Sequence, residues 1–344
     1  MNARDRAVGA FTGLAVGDAL GMPTQDMSRA AIAAAYGPVT GLVDAIADQP
    51  IAPARPAGSI TDDTEQAVML ARLLIDGHGR VEPRVFADAL LIWEADMIRR
   101  GSADLLGPST KRALERLQDG VPAEEAGRTG TTNGAAMRVT PVGIATPPED
   151  LDALVDAVVA TAKVTHNTTI GIASAAAVAA AVSTAIDGAT LTEALDAGEE
   201  AAAVGATRGH WAAGPDIAAR IRWAREWVRT LGPDDIADAT EQVIGTSVAS
   251  QESVVAAFAL AEAFGEDPVG ALRTAAGLGG DTDTVAAICG AMLGAVHGTS
   301  GIPDELTETV RKVNGLDLEP LVDGLLALRC DARRARAERA GGTA

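Results

Sequence analysis

Apolar residues recur at three- and four-residue spacings along most of the chain. Val68, Leu70 to Leu74, Phe86, Leu90 and Trp93 follow this rhythm, as do Leu154 with Val158 and Val178 with Val182 and Ile186. That period is the signature of amphipathic helices. Strand-like alternation is scarce, and the β-branched residues come singly among alanines. The pattern predicts an all-α fold. No internal repeat of fixed period and no low-complexity linker divides it, so residues 1–344 are expected to form a single domain, with a frayed helix from about residue 330. The stretch "GLVDAIADQPIAPARPAGSI", rich in Pro and Gly toward its end, breaks the rhythm and reads as a long loop. Loops of that length in compact domains are often functional.

Glycine changes the picture of the core. Gly9, Gly13, Gly17 and Gly21 are four apart, and so are Gly290, Gly294 and Gly298. On helices this spacing gives a smooth face for close backbone packing, at about 1 kcal/mol per glycine relative to alanine. Two central helices are therefore expected at these positions. The composition agrees: aromatics are only 3% of 344 residues, 47% are hydrophobic, and alanine is abundant. A net charge of −19 argues against nucleic acid or an anionic membrane as partner. No apolar stretch is expected to reach the roughly 18 residues that span a bilayer. Asp18 interrupts the apolar N-terminal run that otherwise mimics a signal peptide. The two cysteines, Cys289 and Cys330, make no disulfide framework, and a reduced, cytoplasmic protein is expected.

Candidate chemistry lies in two acidic clusters. "GSITDDTEQ" carries Thr61, Asp62, Asp63 and Thr64, and "GLGGDTDT" carries Asp281, Asp283 and Thr284. Each opens a helical run after a glycine-containing turn. One aspartate or threonine there would be a helix cap. A cap needs one oxygen, however, and each cluster supplies two carboxylates and a hydroxyl. Brought together, the four carboxylates would repel one another strongly. A hard divalent cation would relieve that repulsion, and oxygen-only ligands favour Mg²⁺, Mn²⁺ or Ca²⁺ over Zn²⁺.

"GDALGMP", "TDDT", "TNGAAMRVTPVG", the Thr165–His166 pair and "GGDTDT…GAMLGAVHG" together resemble, in order and spacing, the signature segments of the ADP-ribosylglycohydrolase family. The likeness runs from about residue 5 to residue 315. It is nearest to bacterial members with the Leu106–Leu114 and Ser247–Val254 segments. It implies an all-α fold with two Mg²⁺ or Mn²⁺ ions in a cleft. It also implies cleavage of the bond between ADP-ribose and a protein side chain or small molecule. Thr61, Asp62, Asp63, Asp281, Asp283 and Thr284 would be the metal ligands. Asn133 and Gly134 would contact ribose or diphosphate through amides, and His166 would line the pocket. Asp62 or Asp63 would orient the attacking water or accept its proton. The family commonly carries "GDxxGxxxE", whereas "GDALGMPTQ" places Gln25 where the glutamate stands. An amide cannot exchange a proton at neutral pH, but it can hydrogen-bond a ribose hydroxyl or a bound water.

Three rivals stand beside this expectation: a hydrolase of simpler nucleosides or ribosides, a binding module that has lost catalysis at Gln25, and a structural use of the fold. Asp18 reads as a support for the metal ligands or as a hydrogen-bond anchor. His78 reads as a surface residue and His297 as a helix-end residue. "RIRWAREWVR" reads as a surface helix packed through Trp223 and Trp227, with base stacking the alternative. The sequence leaves the oligomeric state open.

Overall fold

The structure, a computed structural model, describes residues 1–100 and 106–341. The parts of the single-domain expectation that fall on residues 101–105 and 342–344 lie outside those residues. Helices follow one another without a strand among the described residues, and only isolated bridges join the loops.

The middle of the fold is built as the glycine spacing predicts. Helices Ala3–Gly21 and Thr282–His297 run antiparallel, with Gly9 against Gly294, Gly13 against Gly290, Gly17 against Ala286 and Gly21 against Asp283. A methyl group on Gly9, Gly13 or Gly17 would overlap a carbonyl oxygen of the other helix. Both helices are buried almost all round. The N-terminal run that mimics a signal peptide is thus core.

A third central helix, Thr169–Ile186, corrects the expectation about length. Its 18 residues have a mean hydropathy of 1.8, long and apolar enough to cross a bilayer. In this fold 89% of it is buried inside the protein. The reason is alanine: small side chains let neighbours pack on every side, and a helix apolar all round is either a core helix or a span. Its C-terminal end is closed by Arg329, which donates to the Ser183 carbonyl at 3.0 Å and to the Thr146 carbonyl at 2.7 Å.

The C-terminal helix runs Glu319–Gly341, past residue 330. Arg333 pairs with Glu149 at 2.6 Å, and Arg336 with Asp150 at 3.5 Å, tying it to the fold beyond that point. On helix Ile217–Val228, Trp223 and Trp227 stack with centroids 5.3 Å apart, and Arg225 and Arg229 pair with Glu262. Those arginines are engaged in ion pairs on a surface helix. His78 lies exposed with φ 50°, and His297 bonds the Gly265 carbonyl at the end of its helix.

Candidate active site

The antiparallel pairing brings three helix ends to one place: the C-terminal end of Ala3–Gly21 and the N-terminal ends of Asp62–Asp76 and Thr282–His297. Asp18 makes the junction. It is fully buried and accepts from the Thr61 amide at 2.9 Å, the Thr61 hydroxyl at 2.8 Å and the Thr64 amide at 3.1 Å, and also from the Thr64 hydroxyl. The helix at Asp62 is therefore capped by a carboxylate from another helix. Asn2, Ser28, Asp150, Thr168, Thr190, Asp216 and Asp267 cap their own helices through their side chains. Thr61 and Asp281, at the same position of the two acidic starts, make no such bond. Their side chains do something other than capping.

A cavity of about 480 Å³ opens over these helix starts. Asp62, Asp281, Asp283, Thr284, Gln25, Asn133 and Gly134 line it. Thr61 and Asp63 lie just beneath, each 1% exposed. Asp63 accepts from the Thr284 hydroxyl at 3.2 Å, which joins the two acidic clusters directly. Asn133 donates through its side-chain amide to Ser253 and to Asp281. His166 does not line the cavity. It is wholly buried behind Gly134, where an added Cβ would stand 3.0 Å from the imidazole.

Loops position the walls. Gly279 and Gly280 both hold positive φ, a region open to glycine, and this turn exchanges backbone bonds with Met27 and Asp26. The turn delivers Asp281 to the helix start. Thr132 bridges Ala249, and the Asn133 amide donates to the Val248 carbonyl at 3.0 Å. The long loop reaches the cavity through Ile51. Gln49 anchors it, donating to the Gln25 carbonyl at 2.7 Å and accepting from the Ile51 amide at 2.6 Å. The Gln25 side chain is 6% exposed, and its Nε2 has no hydrogen-bond partner.

The electrostatics are severe. Burial pushes Asp63 well above the usual carboxylate range, and the charges of Asp283, Asp62, Asp18 and Asp281 push it further. Burial also raises Asp18 and Asp281 to about 6, against the bonds from Thr64, Thr61 and Asn133 that favour their charged forms. Asp63 Oδ1 is buried with no hydrogen-bond partner. An orphaned carboxylate oxygen among like charges is what a cation site built from hard oxygen ligands requires, so the donor set fits a divalent metal. Among the described residues, no three His, Cys, Asp or Glu side chains are gathered so that they could hold an ion by themselves. Threonine hydroxyls and water would have to complete the shell. Both helix N-termini add positive dipole ends, which favour the ionised aspartates.

Two participants escaped the sequence reading. Asp26 lines the cavity with φ 56° and adds its charge to the repulsion on Asp281. Arg138 lies fully buried behind the site, and its position in the apolar run "AAMRVTPVG" was the signal available.

The profile of the ADP-ribosylglycohydrolase family matches residues 1–335. The chain belongs to the ADP-ribosylglycohydrolase family. It is 33% identical over 326 residues to the uncharacterized protein YegU of Escherichia coli K12, covering 94% of this chain and 97% of that one. It is 27% identical over 329 residues to the ADP-ribosyl-[dinitrogen reductase] glycohydrolase of Rhodospirillum rubrum, covering 94% and 96%. A solved structure of an ADP-ribosylglycohydrolase-related protein complex superposes with a TM-score of 0.71 at 28% identity, covering 95% of this chain and 99% of its own. The all-α fold expected from the periodicity is thus a family fold, and membership supports ADP-ribosyl hydrolase activity.

Proposed function

We propose that this chain is a divalent-cation-dependent hydrolase of a ribosyl glycosidic bond. Its substrate would be an ADP-ribosylated protein side chain or an ADP-ribose-linked small molecule, cleaved in the cytoplasm. The observation that carries the reading is the pair of acidic helix starts whose own Thr61 and Asp281 side chains make no capping bond and which face one cavity, with Asp63 buried between them. Asp62, Asp63, Asp281, Asp283, Thr284 and Thr61 would hold two Mg²⁺ or Mn²⁺ ions. When bound, the ions would supply Lewis-acid stabilisation of the ribose oxygens and a water of lowered pKa. The chain's own part is to fix the ring and manage the proton. Asn133 and the Gly134 backbone would position the sugar. Asp62, on the cavity wall, would orient the water attacking C1, and Asp63 beneath would accept its proton. The relative from Rhodospirillum rubrum supports the substrate class, since its name places it on an ADP-ribosylated protein.

One observation favours a second reading on the same scaffold, hydrolysis of a simpler nucleoside or riboside. Among the described residues, no Lys, Arg or His side chain lines the cavity, and Asp26, Asp62, Asp281 and Asp283 do. A diphosphate would then depend on bound cations and backbone amides for its counter-charge. A product assay tests both readings. Purified protein is given Mg²⁺ or Mn²⁺ with ADP-ribosyl-arginine and -serine peptides, 1-linked ADP-ribose metabolites and nucleosides. Release of ADP-ribose supports the first reading, and release of free ribose from nucleosides alone supports the second. No cation-dependent product from any of them would refute both.

A further inference from the structure

Behind the cavity wall runs a chain of buried polar groups that the proposed reaction does not use. Arg138 is its centre, 1% exposed and 5.1 Å from the Phe86 ring centroid. It donates through Nη1 to Gln66 Oε1 at 2.8 Å and through Nη2 to Thr165 Oγ1 at 2.7 Å. Gln66 continues one branch, donating through Nε2 to Asp62 Oδ2 at 2.9 Å. On the other, Thr165 Oγ1 lies 2.8 Å from His166 Nδ1, and His166 Nε2 lies 3.0 Å from Thr132 Oγ1. Asp62 and Thr132 both line the cavity. The chain leaves the wall at one residue and returns to it at another.

The chemistry of the guanidinium sets its direction, because arginine can only donate. Gln66 must therefore turn its oxygen to Arg138 and its NH₂ to Asp62. Thr165 must accept from Arg138, which leaves its own proton to place. If it goes to His166 Nδ1, the imidazole carries its hydrogen on Nε2 and donates to Thr132. The Thr132 proton is then turned away from the histidine. The reverse tautomer would give Thr165 two incoming N–H groups and strand its buried proton, a loss that burial makes costly. Burial and the nearby Arg138 charge also hold His166 neutral, well below its ordinary pKa.

We propose that Arg138 is a positioning residue that orients this whole chain, so that Asp62 is held as a carboxylate acceptor and Thr132 offers its hydroxyl proton to a substrate oxygen in the cavity. The proposal rests on the reading of that cavity as the substrate site. Thr132 becomes a substrate-binding donor, and Arg138 acts on substrate only through Thr165, His166 and Gln66.

Nitrogen-15 NMR of the histidine side chains at neutral pH tests the direction, with His166 assigned by its loss in His166→Gln. The expected signature is a protonated Nε2 and a bare Nδ1. A proton on Nδ1, or on both nitrogens, overturns the proposal. Turnover tests the consequence. Thr132→Val keeps shape on a partly exposed wall and should lower kcat roughly tenfold, the loss of about one hydrogen bond. Arg138→Met keeps bulk over Phe86 and should cost more than that alone. In the Thr132→Val background its cost should shrink at least threefold, because the two residues share one chain. Equal cost in both backgrounds refutes the coupling. Should Arg138→Met fail to fold, the wild-type tautomer and Thr132→Val decide. If wild type turns over no ribosyl substrate, the functional reading fails, and the tautomer alone decides the chain.

Discussion

The two acidic helix starts look alike in sequence and are held in opposite ways. The start at Asp62 is held from inside the protein: Asp18 caps it from the N-terminal helix, and Gln66 and Arg138 grip Asp62 from behind. The start at Asp281 is held from outside, by loops. Its amide donates to the Thr246 carbonyl, and its carboxylate takes the Asn133 amide. Both starts are anchored on the central helices, and they differ in the second grip, from buried side chains at Asp62 and from loops at Asp281. Like charge gathers on the inner side, where solvent cannot screen it.

The strongest test of that contrast removes charge from each side in turn. Asp63→Asn should lower turnover by roughly 10²–10⁴-fold, the scale of a lost acid–base group. Without added cation it should also raise thermal stability at pH 7, since it deletes the most repelled carboxylate. Asp281→Asn should cost less turnover and should weaken Mn²⁺ binding seen by isothermal titration. Equal losses in the two variants, or a destabilised Asp63→Asn, would erase the distinction between inner and outer acids.

Asp18→Asn comes next. An amide NH₂ would point at donors that all need an acceptor, so the inner start should lose about 1–3 kcal/mol, read by chemical denaturation. At the outer start Asn133→Ala removes one donor to Asp281 and one to Ser253 and should cost less stability than Asp18→Asn. The pH dependence sharpens the same point. Asp18 and Asp281 titrate near 6 when folded, against about 3.9 for an ordinary aspartate. Between those values the folded state holds protons that the unfolded chain has released. The contribution of these groups to stability therefore falls as pH rises from about 4 to about 6. Mn²⁺ should flatten that fall, and a melting-temperature series with and without the ion shows it.

The smallest expected effect is at Gln25, which sits beside the outer start. Gln25→Glu should raise turnover severalfold on substrates with poor leaving groups, such as ADP-ribosyl-serine, and little on nucleosides. A wild type inert on every substrate, with the glutamate variant active, would make the natural protein a binding module.

Much of this was legible in the chain. The Gly9–Gly21 and Gly290–Gly298 spacings gave the central pair, because a four-residue glycine period has one physical use on a soluble helix. The doubled aspartates pointed to two helix starts that the fold turns toward one cavity, because one cap cannot use two carboxylates. What stayed hidden was which residues stand behind others. His166 matched a motif and was expected on the pocket, yet Gly134 covers it. Thr61 gives its hydroxyl proton to Asp18, a partner 43 residues away that no local pattern reveals. Asp26 was hidden because its exposure depends on a positive φ. The bilayer-length helix was missed because alanine counts as apolar in hydropathy while its small size suits it to a crowded core.

The glycine seam has a consequence for how such a protein can change. Asp18, which caps the Asp62 start, follows Gly17, and Asp283 lies against Gly21, so both acidic starts are tied to a helix pair whose backbones touch with no side chain between them. That separation works as a gauge: no rotamer along the seam can relax it, and a methyl group on Gly17 would have to push the helices apart. The loops around Ile51 and Val248, which line the cavity from elsewhere in the chain, carry no such constraint. Drift in those loops can reshape the mouth of the cavity while the spacing of the central helices beneath it stays constant.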